Sequence, residues 1–156
     1  SGPRYIVAGL TAEDIDVTAS MDYAYAENFV LTLPHSLSRK EGPLISLLPG
    51  EYDDKFADLR AFYGFMMAFP GKKLSFMGNE FAQFDEWNNN KGIDFLLLDF
   101  EKHNKMHKFT KELNHIYKNN SEFYEIDYSW EGFKWLAADD RDNNIVAFER
   151  RNKKGV

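Results

Sequence analysis

The sequence contains no cysteine among its 156 residues. Disulfides, thiolate metal sites and a cysteine nucleophile are therefore excluded, and the absence suits a reducing cytoplasm. Basic residues are also in the minority, because 19 Lys and Arg stand against 25 Asp and Glu and give a formal net charge of −6. A chain of this charge repels a phosphate backbone, so we expect no nucleic-acid partner.

Long apolar runs are missing as well. No stretch approaches the roughly 20 apolar residues of a membrane-spanning helix, and the opening "SGPRYIVAGL" is not expected to be a signal peptide. We therefore predict a cytoplasmic protein without membrane association. Aromatic residues are plentiful, with 14 Phe and 8 Tyr, and a chain of this length can bury one real hydrophobic core.

The first half of the chain predicts a strand, a helix and a second strand. Phe29 to Leu33 is a short β-prone apolar run that ends at a proline. Tyr52 to Phe69 has apolar residues at helical spacing and is followed by Pro-Gly, and Leu74 to Met77 is again a short apolar strand. This order predicts a parallel βαβ unit. The predicted inward stripe of the helix consists of Tyr52, Phe56, Leu59, Tyr63 and Met66.

The second half changes in texture. After a loop, "NNNKGIDFLLLDFEKHNK", a second helix is predicted from about Asn104 to Lys118. Two β-prone runs separated by a polar cluster, "FKWLAADDRDNNIVAFERR", then predict an antiparallel hairpin. The texture shifts between Asn119 and Trp130, where we place a domain boundary. The predicted inward residues of the second helix are Met106, Phe109, Leu113, Ile116 and Tyr117.

A polar site is suggested where the second strand ends, at Gly78-Asn79-Glu80. In parallel α/β folds the loops at the carboxyl ends of strands carry the functional residues, which favours a role for Asn79 and Glu80. The alternative is that both side chains bond only to neighbouring backbone, as polar loop residues commonly do. The residues alone leave both interpretations open.

Other candidate residues are weaker. Trp87 could stack on a sugar ring, although most aromatic residues of this chain fall at helical or strand spacing and are expected in the core. His103 and His107 stand four residues apart, a spacing that can bind metal, but the string lacks the intervening Glu of the metalloprotease motif. We predict no metal site and no cofactor.

Longer strings in this chain are similar to those of a known family. "YAYAENFVLTLPH", "FADLRAFYGFMMAFPGKKLSFMGNEFAQ", "EW" and "ID" resemble the carboxy-terminal part of the catalytic region of bacterial glycogen branching enzymes, members of the α-amylase superfamily of retaining glucan-active enzymes. The resemblance runs from about Asp22 to the end of the chain. Its last part, "LAADDRDNNIVAFERRNKKG", resembles the first strands of the terminal β-sandwich of that family.

The resemblance implies a place for each predicted element. Phe29 to Leu33 and Leu74 to Met77 would be the seventh and eighth strands of a (β/α)8 barrel, with the two helices following them. A whole barrel takes about 250 residues, so the implied fold class is α/β, with the last two strand–helix units of a barrel followed by the start of an antiparallel β-sandwich. The implied domains are 21–119 for the barrel part and 120–156 for the β part, with 1–20 unassigned.

The chemistry implied by the resemblance is cleavage of an α-1,4 glucan bond and transfer of the freed chain to a 6-hydroxyl. This reaction needs one carboxylate as nucleophile and another as acid and base, about 5 to 5.5 Å apart. The resemblance places both on earlier barrel strands. We therefore expect the isolated chain to be inactive, and a protein whose only role is to bind a carbohydrate or a partner is the alternative.

A third family acid is replaced in this sequence. The family has Ser-His-Asp-Glu at the end of the seventh strand, whereas this chain has Pro34-His35-Ser36-Leu37. Ser36 brings no charge to an oxocarbenium-like transition state, and losing one such contact costs about 2.7 to 4 kcal/mol of barrier. The resemblance leaves four residues that are expected to contact an α-glucan: His35, Asn79, Glu80 and Trp87. Of these, Glu80 is expected to shape the cleft and not to act as a catalytic acid.

The fragment geometry also predicts self-association. Strands seven and eight of a parallel barrel pair with strands six and one, which this chain would not supply, so backbone edges would be open. Apolar residues such as Leu74 and Phe76 would lose the opposing barrel wall. We therefore expect a homo-oligomer of this chain.

Overall fold

A computed structural model describes residues 30–33, 43–140 and 145–155, and the side chains of 43–137 and 145–155. The elements run in the order β1, α1, α2, β2, α3, β3, β4, with 3-10 turns between them. Their bounds are β1 Val30–Leu33, α1 Leu44–Leu47, α2 Tyr52–Ala68, β2 Lys72–Ser75, α3 Glu101–Asn119, β3 Phe133–Asp140 and β4 Ile145–Arg150; the 3-10 turns are Asn79–Phe81, Phe95–Asp99, Ser121–Phe123 and Trp130–Gly132.

The first two strands form the predicted parallel pair. Val30 lies opposite Lys72 and Leu33 opposite Ser75, and α2 lies between the strands in sequence. β2 covers Lys72–Ser75, so the predicted bounds of Leu74 to Met77 were wrong by two residues at each end. The strand ends early because the amide of Asn79 donates to the carbonyl oxygen of Phe76 at 3.2 Å and starts a turn.

Helix α2 has a clear start and one buried face. The amide of Glu51 donates to Asp54 Oδ2 at 3.1 Å, and the two side chains complete a capping box. The helix ends before Pro70, which cannot continue it. Tyr52, at the exposed first turn, is 43% accessible, while the rest of the predicted stripe is buried. The buried residues of α2 are Phe56, Leu59, Phe62, Tyr63, Met66 and Met67.

Helix α3 extends beyond its predicted bounds at both ends. Met106 is buried on it, and Phe109 and Leu113 pack against the same core, as predicted. The prediction that Ile116 faces inward was wrong, because this residue is 47% exposed. The inward stripe runs through positions 103, 106, 110, 113 and 117, and Ile116 lies one residue, about 100°, off that line.

The last two strands form the predicted antiparallel hairpin, with Phe133 opposite Arg150. Phe133 and Phe148 stack with ring centroids 5.2 Å apart, and both lie edge-on to Phe69 at the end of α2. The hairpin therefore packs against the βαβ unit through aromatic rings. Such pairs contribute about 0.5 to 1.5 kcal/mol each beyond the area they bury.

An ion network centred on the buried carboxylate of Asp127 holds the same junction. Arg150, whose side chain is 4% exposed, donates from Nη2 to Asp127 Oδ1 at 3.0 Å and from Nη1 to the Ala68 carbonyl at 3.1 Å. Lys72 Nζ donates to Asp127 Oδ2 at 2.7 Å. Burial alone would raise the pKa of Asp127, but these hydrogen bonds hold that pKa below its usual value. We name this group, Lys72, Asp127 and Arg150, the ion anchor.

The ion anchor crosses the predicted domain boundary between Asn119 and Trp130. It joins the first residue of β2 to the segment before β3 and to the last residue of β4. The boundary itself stays a prediction. What the contacts add is a buried connection between the two sides of it.

Candidate functional site

The loop after β2 begins with a tight turn built around a glycine and a carboxylate. Gly78 has a φ of +94°, which favours glycine, and its amide donates to Glu80 Oε2 at 2.7 Å. The turn then continues as the 3-10 segment Asn79–Phe81 and ends at Ala82, with a φ of +60°. Glu80 therefore makes the local backbone contact that one of the two interpretations predicted. A contact between Glu80 and a sugar stays a prediction.

Asn79 is buried at this turn, with 7% of its surface exposed. Its carbonyl oxygen accepts a hydrogen bond from the Tyr63 hydroxyl at 2.7 Å. Burial raises the pKa of Tyr63, and the charge of Glu80 raises it further, so the hydroxyl keeps its proton and donates. This contact ties the loop to α2. The helical spacing predicted that Tyr63 lies in the inward stripe of the helix, but no pattern in the sequence predicted its role in holding the loop.

Gln83 closes the rest of the loop and was missed by sequence analysis. Its Nε2 donates to the Asp85 carbonyl at 2.9 Å, and its Oε1 accepts from the Asp94 amide at 3.1 Å. Its own amide donates to the Gly78 carbonyl at 3.0 Å. One amide side chain thus holds both ends of the segment 85–94. No local pattern marks this role, because the second partner lies 11 residues away.

Trp87 belongs to the same loop and is 40% exposed. Its ring lies edge-on to Phe76, with centroids 5.8 Å apart, just beyond the end of β2. The predicted residues Asn79, Glu80 and Trp87 therefore share one loop at the carboxyl end of a strand. A half-exposed indole held by a neighbouring ring can offer its surface to the apolar face of a sugar.

A groove with a volume of about 620 Å³ is lined by the last part of this loop and by the 3-10 segment that follows it. It combines exposed apolar surface with carboxylates, since Phe95 is 62% and Leu96 73% exposed beside Asp85, Asp94 and Asp99. Apolar rings together with carboxylates suit a polyhydroxylated ligand, because a sugar has both C–H faces and hydroxyl donors. The exposed Phe95 was not predicted as a site residue.

Some predicted site residues are not placed by the structure. His35, Ser36 and Leu37 lie outside the described residues. His103 is buried, with Nδ1 2.7 Å from the Phe81 carbonyl oxygen, and packs against Phe56 and Phe84. His107 is exposed, so the two histidines have different surroundings. In the part of the chain that the structure describes, no three histidines or acids are grouped to hold a metal ion.

None of the described helices is long and apolar enough to cross a membrane. The described residues instead form a parallel βαβ unit whose polar and aromatic loop lies at the carboxyl end of a strand. This is where α/β enzymes of the barrel and open-sheet types carry their binding residues. The fold and the loop therefore define an α/β protein whose polar and aromatic loop lies at the carboxyl end of a strand, where proteins of this class bind their ligands.

Comparison with known proteins gives the particular relatives. Over 139 residues the chain is 47% identical to "1,4-alpha-glucan branching enzyme GlgB" of Bacillus caldolyticus, covering 88% of this chain and 21% of that protein. Proteins of the same name in Halothermothrix orenii and Aquifex aeolicus are 44% and 43% identical, over 89% of this chain and 22% of their own length. No model of a protein family matches the chain.

The resemblance predicted from the sequence is thereby confirmed, and the chain is a homologue of GlgB 1,4-alpha-glucan branching enzymes. It spans about a fifth of the length of the relatives it matches. The helix and strand content is compatible with a segment of such an enzyme.

Proposed function

We propose that this chain forms part of a 1,4-alpha-glucan branching enzyme of the cytoplasm. It contributes the last two strand–helix units of a (β/α)8 barrel and the first strands of a β-sandwich. The observation that carries the proposal is the identity of 43% to 47% to proteins of that name over most of this chain. The parallel pairing of β1 with β2 supports the barrel assignment.

In this proposal the loop after β2 forms part of the glucan-binding cleft. Trp87 offers a ring face to a sugar, while Glu80 and Gly78 fix the turn that positions the loop. Asn79 supports the turn because its backbone carbonyl oxygen accepts a hydrogen bond from the Tyr63 hydroxyl. His35, from the segment before α1, is proposed as a further sugar contact on the strength of the family resemblance.

The bond-breaking groups are not assigned to this chain. Retaining transfer needs a nucleophile and an acid and base on two carboxylates about 5 to 5.5 Å apart, and the resemblance places both on other barrel strands. We therefore propose that the isolated chain neither branches nor hydrolyses amylose. An iodine-staining assay checks this: a steady loss of amylose colour that Glu80→Gln abolishes would contradict it.

The central experiment transplants this chain into a complete relative. The matching stretch of the Bacillus caldolyticus enzyme is replaced by this chain, with Ser36 and with Ser36→Asp as a matched pair. We expect a folded chimera with weak branching activity, and turnover roughly a hundredfold higher for the Asp variant, because a preorganised charge then stabilises the transition state. Equal rates for the pair would show that Ser36 does not occupy the position of the family aspartate.

The Ser36→Asp chimera also tests the proposed sugar contact. Trp87→Ala should raise KM for amylose several-fold with a smaller change in kcat, since stacking binds the substrate throughout the reaction. Tyr128→Ala serves as the control, because this ring is 48% exposed in the segment between α3 and β3. Equal effects of the two changes on KM would refute a special role for Trp87.

A further inference from the structure

Two buried polar side chains, one from each long helix, reach the loop after β2. The Tyr63 hydroxyl of α2 donates to the backbone carbonyl oxygen of Asn79 at 2.7 Å. His103 of α3 has its Nδ1 atom 2.7 Å from the carbonyl oxygen of Phe81. A carbonyl oxygen only accepts, so this ring nitrogen carries the proton and donates. Both side chains are 2% exposed, and the two carbonyls that they hold lie on either side of Glu80 in the 3-10 turn.

Both polar side chains occupy positions where an apolar residue would fill the core. Tyr63 belongs to the core cluster that also contains Met66, and the His103 ring lies edge-on to Phe56 with centroids 5.0 Å apart. A buried hydroxyl or imidazole costs free energy unless it is hydrogen-bonded. In each case the hydrogen bond goes to the loop. What the polar atoms add to the packing is therefore a fixed position for the loop backbone.

His103 contacts the loop at a second place. Its ring lies edge-on to Phe84 with centroids 5.4 Å apart. Phe84 follows Gln83, whose side chain bonds to both ends of the segment 85–94, and Trp87 belongs to that segment. A shift of the turn would therefore also move the residue that carries the proposed sugar contact. Misplacement of a binding group by about 1 Å can reduce a rate roughly a hundredfold.

We propose that Tyr63 and His103 are positioning residues for glucan binding, which together hold the loop after β2 from two helices. We call this pair the loop clamp. The inference rests on the proposed function, because it requires the loop to contact glucan. Both residues are too deeply buried to touch a substrate. They set the affinity of the loop for glucan by fixing its backbone.

Tyr63→Phe removes the hydroxyl and keeps the ring. In the Ser36→Asp chimera this change should raise KM for amylose roughly fivefold with a smaller change in kcat, because the loop is displaced in the folded enzyme. A merely structural role would reduce the amount of folded enzyme, which lowers the apparent kcat and leaves KM unchanged. Tyr117→Phe is the matched control, because the Tyr117 ring packs against Phe123 and Tyr124.

Two substitutions of His103 separate its hydrogen bond from its packing. In His103→Asn the side-chain Nδ2 atom can lie near the former position of Nδ1 and still donate to the Phe81 carbonyl, whereas His103→Leu removes the donor. His103→Leu should raise KM roughly fivefold or more, and His103→Asn should recover most of the native KM. Equal KM values for the two variants would overturn the role of His103.

Hydrogen exchange in the chain itself tests the loop clamp without any glucan. The Ala82 amide donates at 3.1 Å to the same Asn79 carbonyl oxygen that accepts from Tyr63. In Tyr63→Phe this amide should exchange roughly tenfold faster, while the Met106 amide in α3 exchanges as in the native chain. Unchanged exchange at Ala82 would overturn the inference. Equal acceleration at both amides would also overturn it, because the change would then act on the whole fold.

Failure of the loop clamp and failure of the proposed function give different results. If Trp87→Ala leaves KM for amylose unchanged, the proposed glucan contact fails, and the positioning role fails with it. If Trp87→Ala raises KM but Tyr63→Phe has no more effect than Tyr117→Phe, the loop clamp alone is refuted. A rise in KM for Trp87→Ala, Tyr63→Phe and His103→Leu, with the controls near the native value, supports both.

Discussion

The loop after β2 and the ion anchor each depend on one carboxylate, but the two carboxylates act over different distances along the chain. Glu80 accepts from the Gly78 amide two residues away, whereas Asp127 accepts from Lys72 and Arg150, 55 and 23 residues away. The first contact shapes a turn. The second holds three chain segments together at the start of a parallel strand. Glu80, near the proposed cleft, therefore stabilises a local turn, whereas Asp127 stabilises the packing of segments that are distant in sequence.

The largest expected effect comes from the ion anchor. Asp127→Asn should lower the free energy of unfolding by about 3 to 5 kcal/mol, because the buried Arg150 guanidinium would lose its counter-charge. Urea unfolding followed by circular dichroism measures this change. Glu80→Gln should cost under about 1 kcal/mol, because its amide oxygen can still accept from Gly78.

A matched control sharpens this contrast. Asp53 forms an ion pair with Lys102 at 2.9 Å, but the Asp53 side chain is 69% exposed. Asp53→Asn should therefore change stability little, since exposed pairs are worth at most about 1 kcal/mol. Similar losses for Asp53→Asn and Asp127→Asn would show that burial of the anchor does not matter.

The next effect concerns the backbone beside the anchor. A Cβ atom at Gly132 would lie 2.3 Å from the Ile126 carbonyl oxygen. Gly132→Ala should therefore destabilise the chain by about 1 to 3 kcal/mol, because the two segments must move apart. Gly64→Ala is the opposite case, because among the described residues no atom outside the neighbouring backbone of α2 lies within 4 Å of its Cβ position. It should stabilise by up to about 1 kcal/mol, and a loss there as large as at Gly132 would refute the steric explanation.

Low pH should weaken the ion anchor and so lower the free energy of unfolding. Although burial opposes it, the hydrogen bonds from Lys72 and Arg150 hold the pKa of Asp127 in the folded chain below the usual value of an aspartate. The stability it contributes is therefore fully present above about pH 4 and is lost as the pH falls through the folded-state pKa. The urea midpoint of the native chain should fall as the pH is lowered toward 3. The difference in midpoint between the native chain and Asp127→Asn should become smaller over the same range. A difference in midpoint that stays constant down to pH 2 would show that protonation of Asp127 does not weaken the ion anchor.

The smallest effect on global stability is expected in the loop. Gln83→Ala removes the acceptor of the Asp94 amide and the donor to the Asp85 carbonyl, both at exposed sites. The free energy of unfolding should fall by about 1 kcal/mol or less. Hydrogen exchange at Asp94 should nevertheless become clearly faster than in the native chain. Unchanged exchange at this amide would show that Gln83 does not hold the loop.

The elements of this chain can be predicted from its sequence better than the contacts between them. The parallel βαβ unit, the second helix and the hairpin were confirmed, with β2 shifted by two residues and Ile116 wrongly placed inward. Of the loop residues, Asn79, Glu80 and Trp87 were identified as candidates, and their contact with glucan remains to be tested. Gln83 and the ion anchor were not predicted, because no short pattern indicates a partner at long separation.

What the sequence determined by itself is therefore local or shared by descent. Apolar spacing at periods of 2 and 3.6 specifies strands and helices, proline and glycine specify their ends, and long matching strings specify the relatives. Tertiary structure alone decided that Arg150 reaches Ala68 across 82 positions and that His103 bonds to Phe81. The physical reason is that periodicity reports which face of an element is buried, whereas the partner on that face depends on how distant segments pack.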